Sequence, residues 1–170
     1  METPLKQKLI RCYKDEMISF LESNPECFNE AIELALTDEQ PYSWRAAWLI
    51  WSCMEKDDAR LQKHLKKIIN SIKTKQDGHQ RELIKILLMM NLNKVHEGKL
   101  FALCLDLWED VNKDPSVRFT ALKMLLKIAK NHKELFKEIS ILTQDQYLES
   151  LSPGVKKSIS KLLNEFNRSL

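Results

Sequence analysis

Apolar residues recur at intervals of three and four along almost the whole chain, the spacing that lines one face of an α-helix. Leu5, Leu9, Cys12, Tyr13, Phe20 and Leu21 mark a first helix, and Phe28, Ala31, Ile32, Ala35 and Leu36 a second. Leu61, Leu65, Ile68, Ile69 and Ile72 mark another; Leu100, Leu103, Cys104, Leu107, Trp108 and Val111 one more. No segment sustains the apolar–polar alternation of a strand, so the pattern predicts an all-α fold. Thr3-Pro4, Asn24-Pro25, Asp114-Pro115 and Ser152-Pro153 supply helix starts. In each, a side-chain oxygen can accept an orphan N–H, and proline lacks the donor that would be stranded. Asp57 and Asp77 are further candidates for the N-cap.

The pattern also repeats. Aligned on Arg45, Arg81, Arg118 and Lys156, the segments SWRAAWLIW, HQRELIKIL, SVRFTALKM and GVKKSISKL stand 36, 37 and 38 residues apart. Three positions later come Trp48, Ile84, Ala121 and Ile159; six later come Trp51, Leu87, Met124 and Leu162. Both columns are apolar in all four copies. One position earlier, Trp44, Val117 and Val155 are apolar and Gln80 departs. The intervening helices recur too: Phe28, Ala31, Ile32 and Ala35 map onto Leu65, Ile68, Ile69 and Ile72 at an offset of 37. Two interleaved helix types sharing one period are the signature of a stacked repeat architecture.

That period, with paired helices, resembles HEAT or armadillo-type repeats. The closest local likeness is DPSVRFTALKML, through Asp114, Pro115, Val117, Arg118, Ala121 and Leu125. The resemblance implies a right-handed α-α superhelix, a short solenoid of about four helix pairs preceded by an N-terminal capping helix. The expected organisation is a single domain over 1–170, with the cap at 1–23 and repeats near 25–56, 57–92, 96–131 and 132–168. It further implies that the matching Asp and Arg tie neighbouring repeats together. Asp77 and Asp114 each stand four residues before their arginine.

Composition adds little that conflicts. Three glycines and five prolines are too few for a turn-rich β-protein, and a net charge of +3 permits an anionic partner without requiring one. Cys12, Cys27, Cys53 and Cys104 form no CxxC pair and read as small buried hydrophobes. No stretch approaches the roughly 18 apolar residues of a membrane span, and no apolar leader is evident, so a cytoplasmic location without membrane partners is expected.

Candidate chemistry is sparse. There is no P-loop, GxGxxG or nucleophile elbow, and His64, His79, His96 and His132 have no second ligand at metal spacing. No catalytic residue, cofactor or metal is assigned. Trp44, Trp48 and Trp51 fall within an arc of about 60° on one helix. The repeat columns place Trp48 and Trp51 in the core, while Trp44, near the helix start, can edge a groove. The row Arg45, Arg81, Arg118 and Lys156 could grip an anion, although the preceding aspartates favour a scaffold role for Arg81 and Arg118. Arg45 has no such aspartate. Trp44, Arg45, Arg81, Arg118 and Lys156 are therefore the candidate ligand or partner surface. Lys63, Lys66, Lys67 and Lys73 oppose Leu61, Leu65, Ile68 and Ile72 and read as a solvated face.

By resemblance, the leading expectation is a non-enzymatic HEAT-like scaffold that binds a protein partner through its concave surface. The alternative is nucleic-acid binding of the kind found in HEAT-like DNA glycosylases that remove alkylated bases with Trp, Asp and Arg. Trp44, Arg45, Arg81, Arg118 and Trp108 would be its ingredients.

Overall fold

The computed structural model describes residues 2–169, and every regular element among them is helical. The chain divides into two compact units, Met1–Leu92 and Asn93–Leu170. The first contains α1 (Pro4–Arg11), α2 (Lys14–Ser23), α3 (Cys27–Ala35), α4 (Tyr42–Cys53), a 3-10 helix (Ala59–His64), α5 (Leu65–Ile72) and α6 (Asp77–Leu88). Within it α4 is central, packing against α1, α2, α3 and α6, while α5 packs on α6. Its core is built from Leu5, Leu9, Met17, Leu21, Phe28, Ile32, Leu49, Ile50 and Leu83, among others.

The expected first helix is in fact two. Cys12 and Tyr13 are both extended and separate α1 from α2. Leu5, Leu9, Met17 and Leu21 are spaced by multiples of four, and on an unbroken helix each four-residue step turns the stripe by about 40°. The break re-aims Met17 and Leu21 so that both pairs are buried. Tyr13, expected in the apolar stripe, is left 86% exposed.

Other starts shift by a residue or two. Thr3, Asp114 and Ser152 cap as expected, accepting from the backbone N–H of Lys6, Ser116 and Val155. Asn24 instead closes α2, its Nδ2 donating to Phe20 O at 2.8 Å, and α3 begins at Cys27. Asp58, not Asp57, caps the 3-10 helix. Asp57 adopts φ 55° and uses its carboxylate to accept from Asn91 N and Nδ2. Gln76 holds the N-cap position of α6, and Asp77 follows inside the first turn.

The second unit contains α7 (Lys94–Glu109), α8 (Pro115–Ala129), a 3-10 turn (Lys133–Leu135), α9 (Phe136–Leu142), α10 (Asp145–Leu148) and α11 (Pro153–Arg168). Here α8 is central, against α7, α9 and α11. Val111, expected at the end of the α7 stripe, lies beyond the helix and is exposed. On α11, Ile159 and Phe166 are buried. Of the cysteines only Cys104 is fully buried; Cys12, Cys27 and Cys53 are half-buried, and burial with the nearby Glu22 carboxylate pushes the Cys53 thiol up to about 11. No helix among the described residues is long and apolar enough to cross a membrane.

Candidate binding groove

The face of α4 that carries the tryptophans is set by what the rest of the helix buries. Ser43, Ala46, Ala47, Leu49 and Ile50 are its core positions. The small side chains of Ala46 and Ala47, both 0% exposed, leave no bulk between α4 and its neighbours. The indoles are thereby turned toward a third side, between α2 and α6. There, Lys14 and Met17 of α2, Trp44, Arg45, Trp48 and Trp51 of α4, and Arg81, Glu82 and Lys85 of α6 line a groove of about 500 Å³.

This corrects the expectation that Trp48 and Trp51 are core residues. Both are half-buried and face the groove. The repeat counterparts of Trp48, namely Ile84, Ala121 and Ile159, are fully buried, as are Leu87 and Met124 in the Trp51 column, where Leu162 is half-buried. A bicyclic side chain is larger than the isoleucine and alanine of the Trp48 column and the leucine and methionine of the Trp51 column, so one side of each indole packs and the other is displaced outward. The two rings meet edge to face, centroids 6.3 Å apart, the geometry the aromatic quadrupole favours. Trp44, as expected, edges the groove at 37% exposure.

Each indole carries a cation. Lys14 Nζ lies 5.7 Å from the Trp48 ring, the Arg45 guanidinium 5.8 Å from Trp44, and Lys85 Nζ 4.4 Å from Trp51. All are within the range at which the ring quadrupole attracts a positive charge. Arg45 is further anchored where the chain breaks between α1 and α2: its Nη2 donates to Cys12 O at 3.3 Å. Its Nε is buried without a hydrogen-bond partner.

Glu82 is the one acid of the lining and is 0% exposed. Trp51 Nε1 donates to it, Arg81 Nε donates at 2.7 Å, and Lys85 Nζ stands at 3.4 Å. A buried carboxylate is costly unless its lone pairs are satisfied; here one indole N–H and two cations satisfy them. Arg81 and Lys85 remain about one-third exposed, so their outer faces stay in contact with solvent. A second depression of about 290 Å³, lined by Gln40, Trp44, Gln76, Gly78, His79 and Arg81, shares Trp44 and Arg81 with the groove. His79 is buried there, its Nε2 2.8 Å from Ala35 O and its Nδ1 3.3 Å from Gln40 Nε2. Burial holds its pKa below the usual histidine range. The neutral ring thus serves as a structural bridge.

Of the expected surface, Trp44, Arg45 and Arg81 come together in this groove. Arg118 does not present a surface: it is 1% exposed in the second unit. Its Nε donates to Trp108 O, its Nη1 to Ser150 Oγ and its Nη2 to Tyr147 O, at 2.9, 2.9 and 2.7 Å. Its guanidinium lies over the Trp108 ring at 5.0 Å. Every hydrogen-bonding edge is spent on the scaffold, which removes Arg118 from the candidate site. Trp108 is likewise fully buried and donates to Leu142 O, which removes it from a base-binding role. Lys156 is half-buried near the start of α11, also in the second unit.

Lys14, Glu82 and Lys85 carry no repeat signal and were invisible to column alignment. The available hint was volume: tryptophan standing where other copies hold alanine, isoleucine or methionine.

A family model described as a HEAT repeat domain matches residues 1–166. Comparison with curated proteins and with solved structures returned no match.

Proposed function

The chain belongs to the HEAT repeat domain family, and on that premise we propose that it is a non-enzymatic protein-binding module whose docking site is the tryptophan groove of the first unit. The observation that carries this reading is the lining itself: three partly exposed indoles, each with a cation, around a carboxylate already saturated by protein donors. Aromatic and arginine side chains grouped in a partly enclosed depression are what protein interfaces use as anchors. The groove offers no general base or nucleophile poised for reaction. Its single acid is enclosed by Trp51, Arg81 and Lys85, which favours recognition over chemistry.

The base-removal alternative is weaker on the same observations. Arg118 and Trp108 are consumed by packing, and the indole faces that a nucleobase would stack on carry the protein's own cations.

The test is selection of a random peptide display library on the full chain and on a Trp44→Ala, Lys85→Ala variant. Peptide families enriched on the parent and lost on the variant are expected. Enrichment indifferent to the substitutions, or no enrichment, overturns the reading.

A further inference from the structure

We infer that the second unit carries a docking groove of its own, which takes an amphipathic helix of a protein partner with lysine or arginine on both flanks of its apolar stripe. The site lies between α7 and α9, which both pack on α8 and leave a groove of about 380 Å³. Its floor is apolar. Leu142 of α9 is buried, Leu105 of α7 is half-buried, and Ile141 beside them is left 44% exposed. One buried hydrogen bond ties the two walls together: Trp108 Nε1 of α7 donates to Leu142 O at 2.8 Å. The groove is thus formed before a partner arrives, which lowers the ordering cost of binding.

The rim selects the occupant. Glu109 follows Leu105 by one turn on one wall; Glu134, Lys137 and Glu138 stand on the other. The second unit carries thirteen basic and ten acidic side chains, so a groove lined by three acids and one base runs against the charge of its surroundings. Glu134 is already engaged by His132, whose Nδ1 stands 3.4 Å from its Oε1. Acids elsewhere are paired too: Asp38 with Lys75, Asp58 with Arg60, Glu82 with Arg81 and Glu97 with His132. Glu109 and Glu138, one on each wall and both exposed, make no ion pair or side-chain hydrogen bond among the described residues. Glu109 also closes α7, whose last turn holds Asp106 and Glu109 and no base. The negative end of the helix dipole repels both acids, and a cation seated on this wall relieves that repulsion.

An apolar floor between two acidic rims fits a helix better than a strand. A helix presents apolar side chains as one stripe, and the residues bordering the stripe on either side can reach both rims with long lysine or arginine stems. A strand sends alternate side chains to opposite faces, so its cations turn away when its apolar face is down. Nucleic acid and anionic headgroups meet the rim with like charge.

The experiment uses the full chain and a labelled peptide of about 18 residues, long enough to form a helix, with leucine at helical spacing and lysine on both flanks. Two companions replace every lysine by glutamine, or every leucine by serine. Fluorescence anisotropy reads binding. The parent peptide is expected to bind about tenfold more tightly than either companion. Glu109→Gln with Glu138→Gln should weaken it by about tenfold, and Ile141→Ser by about fivefold. Glu149→Gln with Glu165→Gln, exposed acids outside this groove, should leave it unchanged, as should Trp44→Ala with Lys85→Ala in the first unit. A thermal unfolding curve for each variant confirms that the fold is kept. Equal binding of the lysine and glutamine peptides overturns the inference, as does equal binding of the leucine and serine peptides. Equal weakening by the two glutamate pairs, or no binding of any peptide, overturns it too. Binding lost only in the Trp44→Ala, Lys85→Ala variant overturns it while leaving the first-unit groove as a docking site. Failure of that first-unit reading in peptide display leaves the present inference intact, because no residue is shared between the two grooves.

Discussion

At the scale of single residues, Glu82 joins stability and recognition. Its carboxylate satisfies the Trp51 indole N–H in a position closed to water. Glu82→Ala leaves that donor stranded and opens a void. Arg81 and Lys85 are exposed enough to rehydrate, so the cost should come mainly from the indole and the cavity, about 2 kcal/mol. Urea denaturation checks this. Trp51→Phe keeps most of the packing and removes only the N–H; a smaller loss of about 1 kcal/mol is expected. If Glu82→Ala unfolded no more easily than the parent, the hydrogen bonds to Glu82 would not be holding the groove in shape.

A second residue pair gives a pH dependence. His132 Nε2 lies 2.7 Å from Glu97 Oε2, and Asn131 Nδ2 donates to Glu97 Oε1 at 2.9 Å. The hydrogen bond and charge of Glu97 hold the His132 pKa above its usual 6.5. Burial would push the Glu97 carboxyl up, but the hydrogen bonds from His132 and Asn131 outweigh it and leave it below its usual 4.5. A histidine raised on folding stabilises fully below its unfolded pKa, and that contribution is lost as pH rises through the folded value. A carboxyl lowered on folding contributes above its unfolded pKa and loses this as pH falls through the folded one. The pair is therefore strongest between about pH 4.5 and 6.5. The gap in urea midpoint between parent and His132→Gln should be largest near pH 5.5 and shrink toward about pH 8.5.

At the scale of elements, α4 shows how small residues place large ones. Ala46 and Ala47 are completely buried. Ala47→Leu inserts three carbons where α4 meets its neighbours, with an expected cost of about 1–3 kcal/mol from overpacking. Because the indoles share the same helix, their emission maximum should move with it; a destabilised variant with unchanged emission would argue that the groove is set elsewhere. The capping of α8 tests a simpler element. Asp114 accepts from both Ser116 N and Ser116 Oγ, so Asp114→Ala should cost about 1 kcal/mol in thermal or chemical unfolding.

These elements also show what was legible beforehand. The helices around Leu65–Ile72 and Ile159–Phe166 follow directly from apolar spacing, because a single buried face dictates them. The break at Cys12–Tyr13 does not, because it depends on where α4 presents its surface to α1 and α2. The groove was half visible. Trp44, Arg45 and Arg81 stood out as departures from the repeat or as members of its basic row. Trp48 and Trp51 depart from the core expectation because a column that is apolar in every copy need not be buried in every copy. Alignment reports polarity and not volume, and an indole exceeds the space that alanine or isoleucine fills.

At the scale of the whole molecule, the four aligned cations fall into three different situations. Arg45 and Arg81 line the groove of the first unit, Arg118 is enclosed in the second, and Lys156 lies half-buried on α11. A shared column thus guarantees a shared place on a helix but not a shared role, since each role depends on the partners that the neighbouring segment supplies. Arg118 is the strongest case: its three donors close onto Trp108, Tyr147 and Ser150, all within the second unit. Arg118→Met retains much of the bulk but strands the buried Trp108 O, while Ser150 is exposed and Tyr147 half-buried and both can turn to water, so a loss of about 2 kcal/mol is expected. Each unit has its own core, so the damage should be local in the native state. Amide hydrogen exchange should rise across α7, α8 and α10 in Arg118→Met, while α4 and α6 keep their protection. Glu82→Ala should produce the opposite pattern, loosening α4 and α6 and sparing α8. Protection lost evenly over all helices in either variant would mean that the chain opens as one cooperative unit, and the division at residue 92 would then have no energetic counterpart.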